Sequence, residues 1–290
     1  MVRNAIERKN LIKKVFAQSY IWLLLFLMYL PILVLMICSF TSGVNLMDWS
    51  DGFSFKLYEE LFASRAIWVA VGNTALIAIV SAVLATIIGT LGAIGVHESR
   101  PAFRKTMEFT TQIPVVNPEI VIALSLVIMF VAVGGFMGFK TSFWTILAGH
   151  LVLTTPFVYL SVKPKLLQMD PEMYEAALDL GCTPRQALFK TTLPDILPGV
   201  ASGFLLAITL SLDDFIVTAF LKGPGLLSGR SDIETISTYV EGIIKKHPLP
   251  PELRALTTLI FLSVLAVVIA ITVYNNQKAK KHKKRKGRDY

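Results

Sequence analysis

Charge is scarce in this chain: of its 290 residues only 17% are Asp, Glu, Lys or Arg, whereas 54% are hydrophobic. A composition so poor in charge excludes an ordinary soluble domain and calls for lipid as the solvent. Cysteine is nearly absent, with Cys38 in an apolar run and Cys182 in a polar loop. That separation excludes a disulfide between them, and neither has metal-ligand spacing, so a disulfide scaffold and a cysteine-held metal both drop out. The pattern Gly, four residues, Gly-Lys-Ser/Thr is missing too, so the chain has no phosphate-cradling loop for ATP.

What is present is a series of hydrophobic runs, each near the roughly 20 residues needed to cross a bilayer. They fall at Tyr20–Phe40, Ile67–Val96, Ile113–Val133, Phe143–Val162, Gly199–Leu221 and Ala255–Tyr274. These predict an all-α, polytopic membrane protein with six transmembrane helices and both termini on one side. Lys and Arg set which side. Arg3, Arg8, Lys9, Lys13 and Lys14 precede the first run, and Arg100, Arg104 and Lys105 lie between the second and third. Lys163, Lys165, Arg185 and Lys190 follow the fourth, and a basic tail closes the chain. All fall on one side, so both termini are expected to be cytoplasmic, in a multi-pass plasma or inner membrane protein. The first run is too long for a secretory signal and no convincing cleavage pattern follows it, so it reads as a retained span. The boundaries expected are a cytoplasmic segment 1–18, a transmembrane domain 19–274 and a basic tail 275–290.

The formal charge of +8 does not point to nucleic acid. Its excess sits in Lys278–Arg288, directly after a hydrophobic run, where anionic headgroups are the nearer partner. Membrane lipids are the expected contact.

The longest cytoplasmic loop, Lys163 to Pro198, carries its own helix punctuation. Asp170 is placed to cap a helix that starts at Pro171. Gly181 ends it, and Thr183, Pro184 and Gln186 compose the start of a second helix with a capping box. Pro194 and Pro198 are expected to stop that helix before the fifth span. In the first helix Met173, Ala176, Ala177 and Leu180 share a face by their three- and four-residue spacing, with Glu172, Glu175 and Asp179 on the remainder. From the residues alone, the loop is either a docking surface or a segment packed beneath its own bundle.

The same residues resemble the EAA loop of inner-membrane permeases of ABC importers, whose pattern is Glu-Ala-Ala, three residues, Gly, nine residues, Ile-x-Leu-Pro. Glu175, Ala176, Ala177, Gly181, Leu193 and Pro194 match in register, and Thr191 departs from the family's Ile. The resemblance implies that this loop, between spans 4 and 5, docks on a separate ATPase. ATP and Mg would belong to that partner, leaving this chain a transport subunit with no enzymatic activity and no cofactor of its own.

Wider resemblance lies in Ser211-Leu212-Asp213-Asp214-Phe215, Lys222-Gly223-Pro224-Gly225, Trp49 through Phe62, and Asn117-Pro118-Glu119-Ile120. Together these are similar to permeases of spermidine/putrescine importers. The implied assembly is this chain, a second homologous permease, two ATPase copies and an extracytoplasmic polyamine-binding protein.

Two adjacent carboxylates in the fifth run need a reason to be there, because an ionised group at membrane depth costs about 2.5–3.5 kcal/mol. Neighbouring helical residues point about 100° apart, so the two differ in role. Asp214 shares a small polar stripe with Ala207, Ser211, Thr218 and Lys222, read as the lining of a passage suited to a polyamine's ammonium groups. Asp213 falls on an apolar side and is expected to meet a neighbouring helix. Both also fit a plainer role as hydrogen-bond acceptors bracing the span.

Other polar groups read as structural. Asn117 and Glu119 suit a helix start where Pro114 and Pro118 bend the backbone. Asn73 and His150 are lone polar groups to be satisfied by a neighbouring helix, and Gly89, Gly92 and Gly95 make a close helix contact. Trp49, Phe53, Phe55 and Tyr58 suit interfacial anchoring. An outer helix is expected from Asp232 to before Pro248. The rival functions are an importer permease for ferric iron, an anion or a sugar, and an ion-coupled secondary transporter using Asp213 and Asp214. The second rival leaves the Glu175–Pro194 loop without a purpose.

Overall fold

The computed structural model describes residues 2–43, 52–137, 142–222, 233–245, 250–266, 269 and 273, and every regular element among them is helical. The chain divides into two compact units, one of Met1–Arg65 with Pro248–Tyr290 and the other Ala66–His247.

In the first unit, α1 (Val2–Cys38) is one continuous helix. Its apolar stretch Gln18–Cys38 buries almost nothing within the chain. A helix of that kind requires lipid or a second subunit around it. The short α2 (Lys56–Ala63) buries Leu57 and Leu61. Phe40 stacks on Phe53 with ring centroids 4.9 Å apart, and Phe55 and Tyr58 close an aromatic cluster. α12 covers 252–266 among the described residues. Its buried Arg254 donates from Nη1 to the Gly43 carbonyl at 3.3 Å. The expected sixth span, the basic tail, Trp49 and Asp232 lie wholly or partly outside the described residues.

The second unit holds α3 (Arg65–His97), α4 (Pro101–Val116), α5 (Glu119–Met137), α6 (Phe143–Gln168), α7 (Pro171–Asp179), α8 (Pro184–Ala187), α9 (Leu193–Asp213), α10 (Ile216–Leu221) and α11 (Ile236–Ile244). Proline punctuates it. Arg100, Asp170 and Thr183 each precede a proline at the first position of a helix, and each has the extended backbone that a following proline imposes. Asn117 before Pro118 is extended for the same reason. The consequence there is a break: α4 and α5 meet at 104°, so the expected run from Ile113 is divided between two helices.

The fifth expected span is also redrawn. Pro194 and Pro198 do not stop a helix; Pro184–Asp213 runs as one length of 30 residues, and the interruption comes at Asp214. Among the described residues four helices are long and apolar enough to cross a membrane, or five if the bent α4–α5 pair is counted as one span.

α6 is the centre of the unit, and α9 lies antiparallel along it. Ala82, Ala85, Val158, Val162, Ile196 and Ala207 form one apolar core toward the loop end. Ile77, Ala123, Ile146, Leu153, Val217 and Leu221 form another toward the far end. Glycines set how closely the helices approach. A Cβ on Gly199 would lie 2.9 Å from the Ser161 carbonyl oxygen, and one on Gly89 would lie 2.8 Å from the Val158 Cβ. Gly92 and Gly95 face open space, so the expected three-glycine contact reduces to Gly89. Gly92 instead lines a groove between α3, α4 and α6.

Gly199→Ala is therefore expected to push α6 and α9 apart at a cost of about 1–3 kcal/mol. Gly92→Ala is expected to leave stability unchanged or slightly raised. Thermal unfolding of the purified protein in detergent distinguishes the two, and equal midpoints would contradict the packing described.

Candidate functional site

Two places in the second unit concentrate the unusual chemistry: the loop between α6 and α9, and the break after α9.

At the loop, the side chain of Asp170 accepts from the Glu172 amide at 3.0 Å and starts α7. The helix ends in a Schellman motif: the Cys182 amide donates to the Ala177 carbonyl at 3.1 Å and the Gly181 amide to Leu178 at 2.9 Å. This geometry places Gly181 at φ +85°, in the left-handed region, where a side chain costs about 1–2 kcal/mol. The expected capping box is present, with Thr183 and Gln186 exchanging bonds at 3.0 and 3.4 Å.

The second loop helix is not a separate element. α8 passes through a π-helical turn, Leu188–Thr192, into α9. Pro194 accounts for that turn, because it has no N–H for the carbonyl four residues back and its ring crowds that position. The Leu193 amide reaches back to Leu188 instead, and the Thr191 hydroxyl donates to the Ala187 carbonyl.

The six residues singled out in this loop thus divide in two. Ala177 is buried, Leu193 packs on the lower core and Gly181 makes the turn, so these three build the loop. Glu175, Ala176 and Pro194 face outward. The expected single apolar face of α7 also divides. Ala177 turns inward with the partly buried Tyr174 and Leu178, while Met173 and Leu180 stay exposed, Leu180 at 87%.

At the far end, the Asp214 backbone is extended and α9 stops. Its carboxylate takes up the amides this exposes: Oδ1 accepts from the Val217 amide at 3.1 Å, and Oδ2 from the Thr218 amide at 2.9 Å and the Thr218 hydroxyl at 3.1 Å. A side-chain acceptor of this kind offers the backbone an alternative to continuing the helix. His150 on α6 lies beside it, with Nδ1 2.7 Å from Ser211 Oγ, Nε2 2.9 Å from Thr218 Oγ1 and Nε2 3.6 Å from Asp214 Oδ2. Ser211 Oγ is 3.0 Å from Ser81 Oγ on α3. The Ser237 hydroxyl on α11 donates to the Asp214 carbonyl at 3.1 Å. Asn73 donates to the Glu234 carbonyl at 3.0 Å, and the Ile236 amide donates to Thr74 Oγ1 at 2.9 Å.

The faces of the two aspartates are thereby exchanged from expectation. Asp214, Ser211 and Thr218 are buried among helices of their own bundle, and the stripe they were to share is interrupted at the break. Asp213 is exposed rather than set against a neighbouring helix. Glu119 is also exposed. His150 is satisfied by neighbouring helices and Asn73 by the backbone of the segment just before α11, as single polar groups on apolar helices require. α11 begins after Thr235, in a capping box with Thr238.

Residues 85–281 match the family described as "Binding-protein-dependent transport system inner membrane component". The chain is 32% identical over 253 residues to the spermidine/putrescine transport system permease protein PotC of Escherichia coli (strain K12), covering 87% of this chain and 91% of the relative. It is 36% identical over 260 residues to the putrescine transport system permease protein PotI of the same organism, covering 88% and 89%. Its fold is similar, with a TM-score of 0.67 and 21% identity, to a chain of a bacterial alginate ABC transporter solved in complex with an alginate pentasaccharide-bound periplasmic protein. That likeness covers 93% of this chain and 94% of the other.

Asp214→Ala, which strands two amides and a hydroxyl in an apolar bundle, is expected to lose about 1–3 kcal/mol of stability. Asp213→Ala is expected to lose little. Thermal midpoints of the purified variants in detergent check the contrast, and equal loss at both positions would refute the assignment of faces.

Proposed function

The chain belongs to the family of binding-protein-dependent inner-membrane transport components, and from that premise we propose that it is a permease subunit of an ABC importer that carries polyamines, spermidine and putrescine, by alternating access. The observation that carries the substrate class is 32–36% identity over nearly the whole chain to polyamine permeases. The likeness to the alginate transporter is one of fold and does not favour an anionic substrate. A six-span domain over residues 19–274 with cytoplasmic termini completes the reading.

The working assembly is this chain with a second homologous permease, two ATPase copies that bind ATP and Mg, and an extracytoplasmic polyamine-binding protein. The exposed apolar length of α1 suits contact with the second permease or lipid. Glu175, Ala176 and the exposed Met173 and Leu180 form the surface offered to the ATPase, while Ala177, Gly181, Leu193 and Pro194 give it shape. Closure of the ATPase pair displaces α7, and the displacement enters α9 directly because no loop separates α8 from the membrane helix. Two arrangements of the spans then exchange as ATP and the loaded binding protein favour one over the other.

For the passage, the structure supports a different emphasis within the candidate set. Exposure favours Asp213 over the buried Asp214 as the carboxylate that meets an ammonium group, with Asp214, Ser211 and Thr218 shaping the helix end beside it. Carboxylates are the natural complement of a polyamine, through charge-assisted hydrogen bonds.

ATP-dependent uptake of labelled spermidine by membrane vesicles containing the whole importer tests the reading. Competition by excess putrescine, and none by ferric iron or maltose, is expected; a co-purifying ATPase without spermidine uptake would retain the permease and discard the polyamine. Glu175→Arg is expected to leave the protein in the membrane while reducing ATPase co-purification and uptake at least about tenfold, the scale of a lost charged contact. Full association and uptake in that variant would remove Glu175 from the docking surface.

A further inference from the structure

The hydrogen bonds at the break have a direction. Thr218 has a single hydroxyl proton, which goes to Asp214 Oδ2, so its oxygen accepts from His150 and Nε2 of the imidazole carries a proton. The other ring nitrogen engages Ser211, in the last turn of α9. One buried side chain on α6 therefore holds the last turn of α9 and the first turn of α10 at once. Ser81 extends the chain to α3, and Ser237 extends it through Asp214 to α11.

Stability alone does not explain an imidazole here. His150 is 1% exposed and sits between Ile146 and Leu153 of the upper apolar core. At such a position an apolar side chain of similar volume costs less to bury. What the imidazole supplies is two directed bonds across an interruption. The interruption also ends a rod of 30 residues, about 45 Å at 1.5 Å per residue, whose other end is the coupling loop. Ser211 thus stands in the last turn of a rod whose first turn adjoins that loop.

We infer that His150 is a positioning residue for transport: it fixes the register of the two halves of the broken helix and, through Asp214 and Ser237, ties them to α11, so that displacement of α9 reaches the far end of the bundle. The inference rests on the importer reading but not on which solute is carried.

The test uses the whole importer reconstituted in liposomes, with spermidine as the probe and ATP hydrolysis followed alongside uptake. His150→Phe keeps the ring and removes both nitrogens. It is expected to lower maximal uptake per ATP hydrolysed about tenfold, the effect of losing a buried hydrogen-bonded bridge, with the half-saturating spermidine concentration unchanged. His150→Gln, which can still donate to Thr218, is expected to recover much of that ratio. Ser237→Ala, at the α11 end, is expected to lower it about threefold. An unchanged ratio in all three variants overturns the inference, as does an equal deficit in the Phe and Gln variants, the result of a purely space-filling role. If His150→Phe does not assemble, the Gln and Ser237→Ala ratios decide by the same criterion. If the unmodified importer takes up no spermidine, the polyamine reading fails instead. Amide hydrogen exchange at Val217 and Thr218 then decides: faster exchange in His150→Phe than in His150→Gln supports the bridge, and equal exchange overturns it.

Discussion

A helix that stops inside an apolar bundle exposes amides and carbonyls where no water can reach them, and the bundle must answer each one. At Asp214 the answer is a carboxylate that accepts three bonds from the first turn of α10, backed by the His150 imidazole of α6, the hydroxyls of Ser211 on α9 and Ser81 on α3, and a hydroxyl of α11. Helices α3, α6, α9, α10 and α11 all contribute to this one constellation. Their relative placement follows from it as much as from the two apolar cores that flank it.

The opposite end of α9 obeys another constraint. Pro194 denies a hydrogen bond to the preceding turn, and the chain responds with a π turn instead of a break, so the helix continues from Pro184 to Asp213. The loop after α6 is in this way continuous with α9. The six residues singled out there divide by cause: Gly181 for a left-handed backbone, Ala177 and Leu193 for packing, and Glu175, Ala176 and Pro194 exposed.

Much of this was legible in advance because it is local. The Asp170 cap, the Thr183–Gln186 box and the Gly181 terminus are each written within a few residues, and all are present. The break at Asn117–Pro118 was half legible: proline announced a bend, but nothing local sets its angle of 104°. Local rules misled at Pro194 and Pro198, where tertiary packing carried a helix through two prolines. They misled again for Gly92 and Gly95, since a glycine spacing cannot say which glycine meets a neighbour.

The sequence by itself determined the solvent, the helical class and the punctuation of the loop, because composition, caps and turn residues act over one or two helical turns. Only the tertiary structure decided which aspartate is buried. Helical periodicity assumes an unbroken helix, and once Asp214 ends α9 the periodicity no longer relates Ser211 to Thr218. What rejoins them is His150, 61 and 68 residues away in the chain and within 3 Å in space.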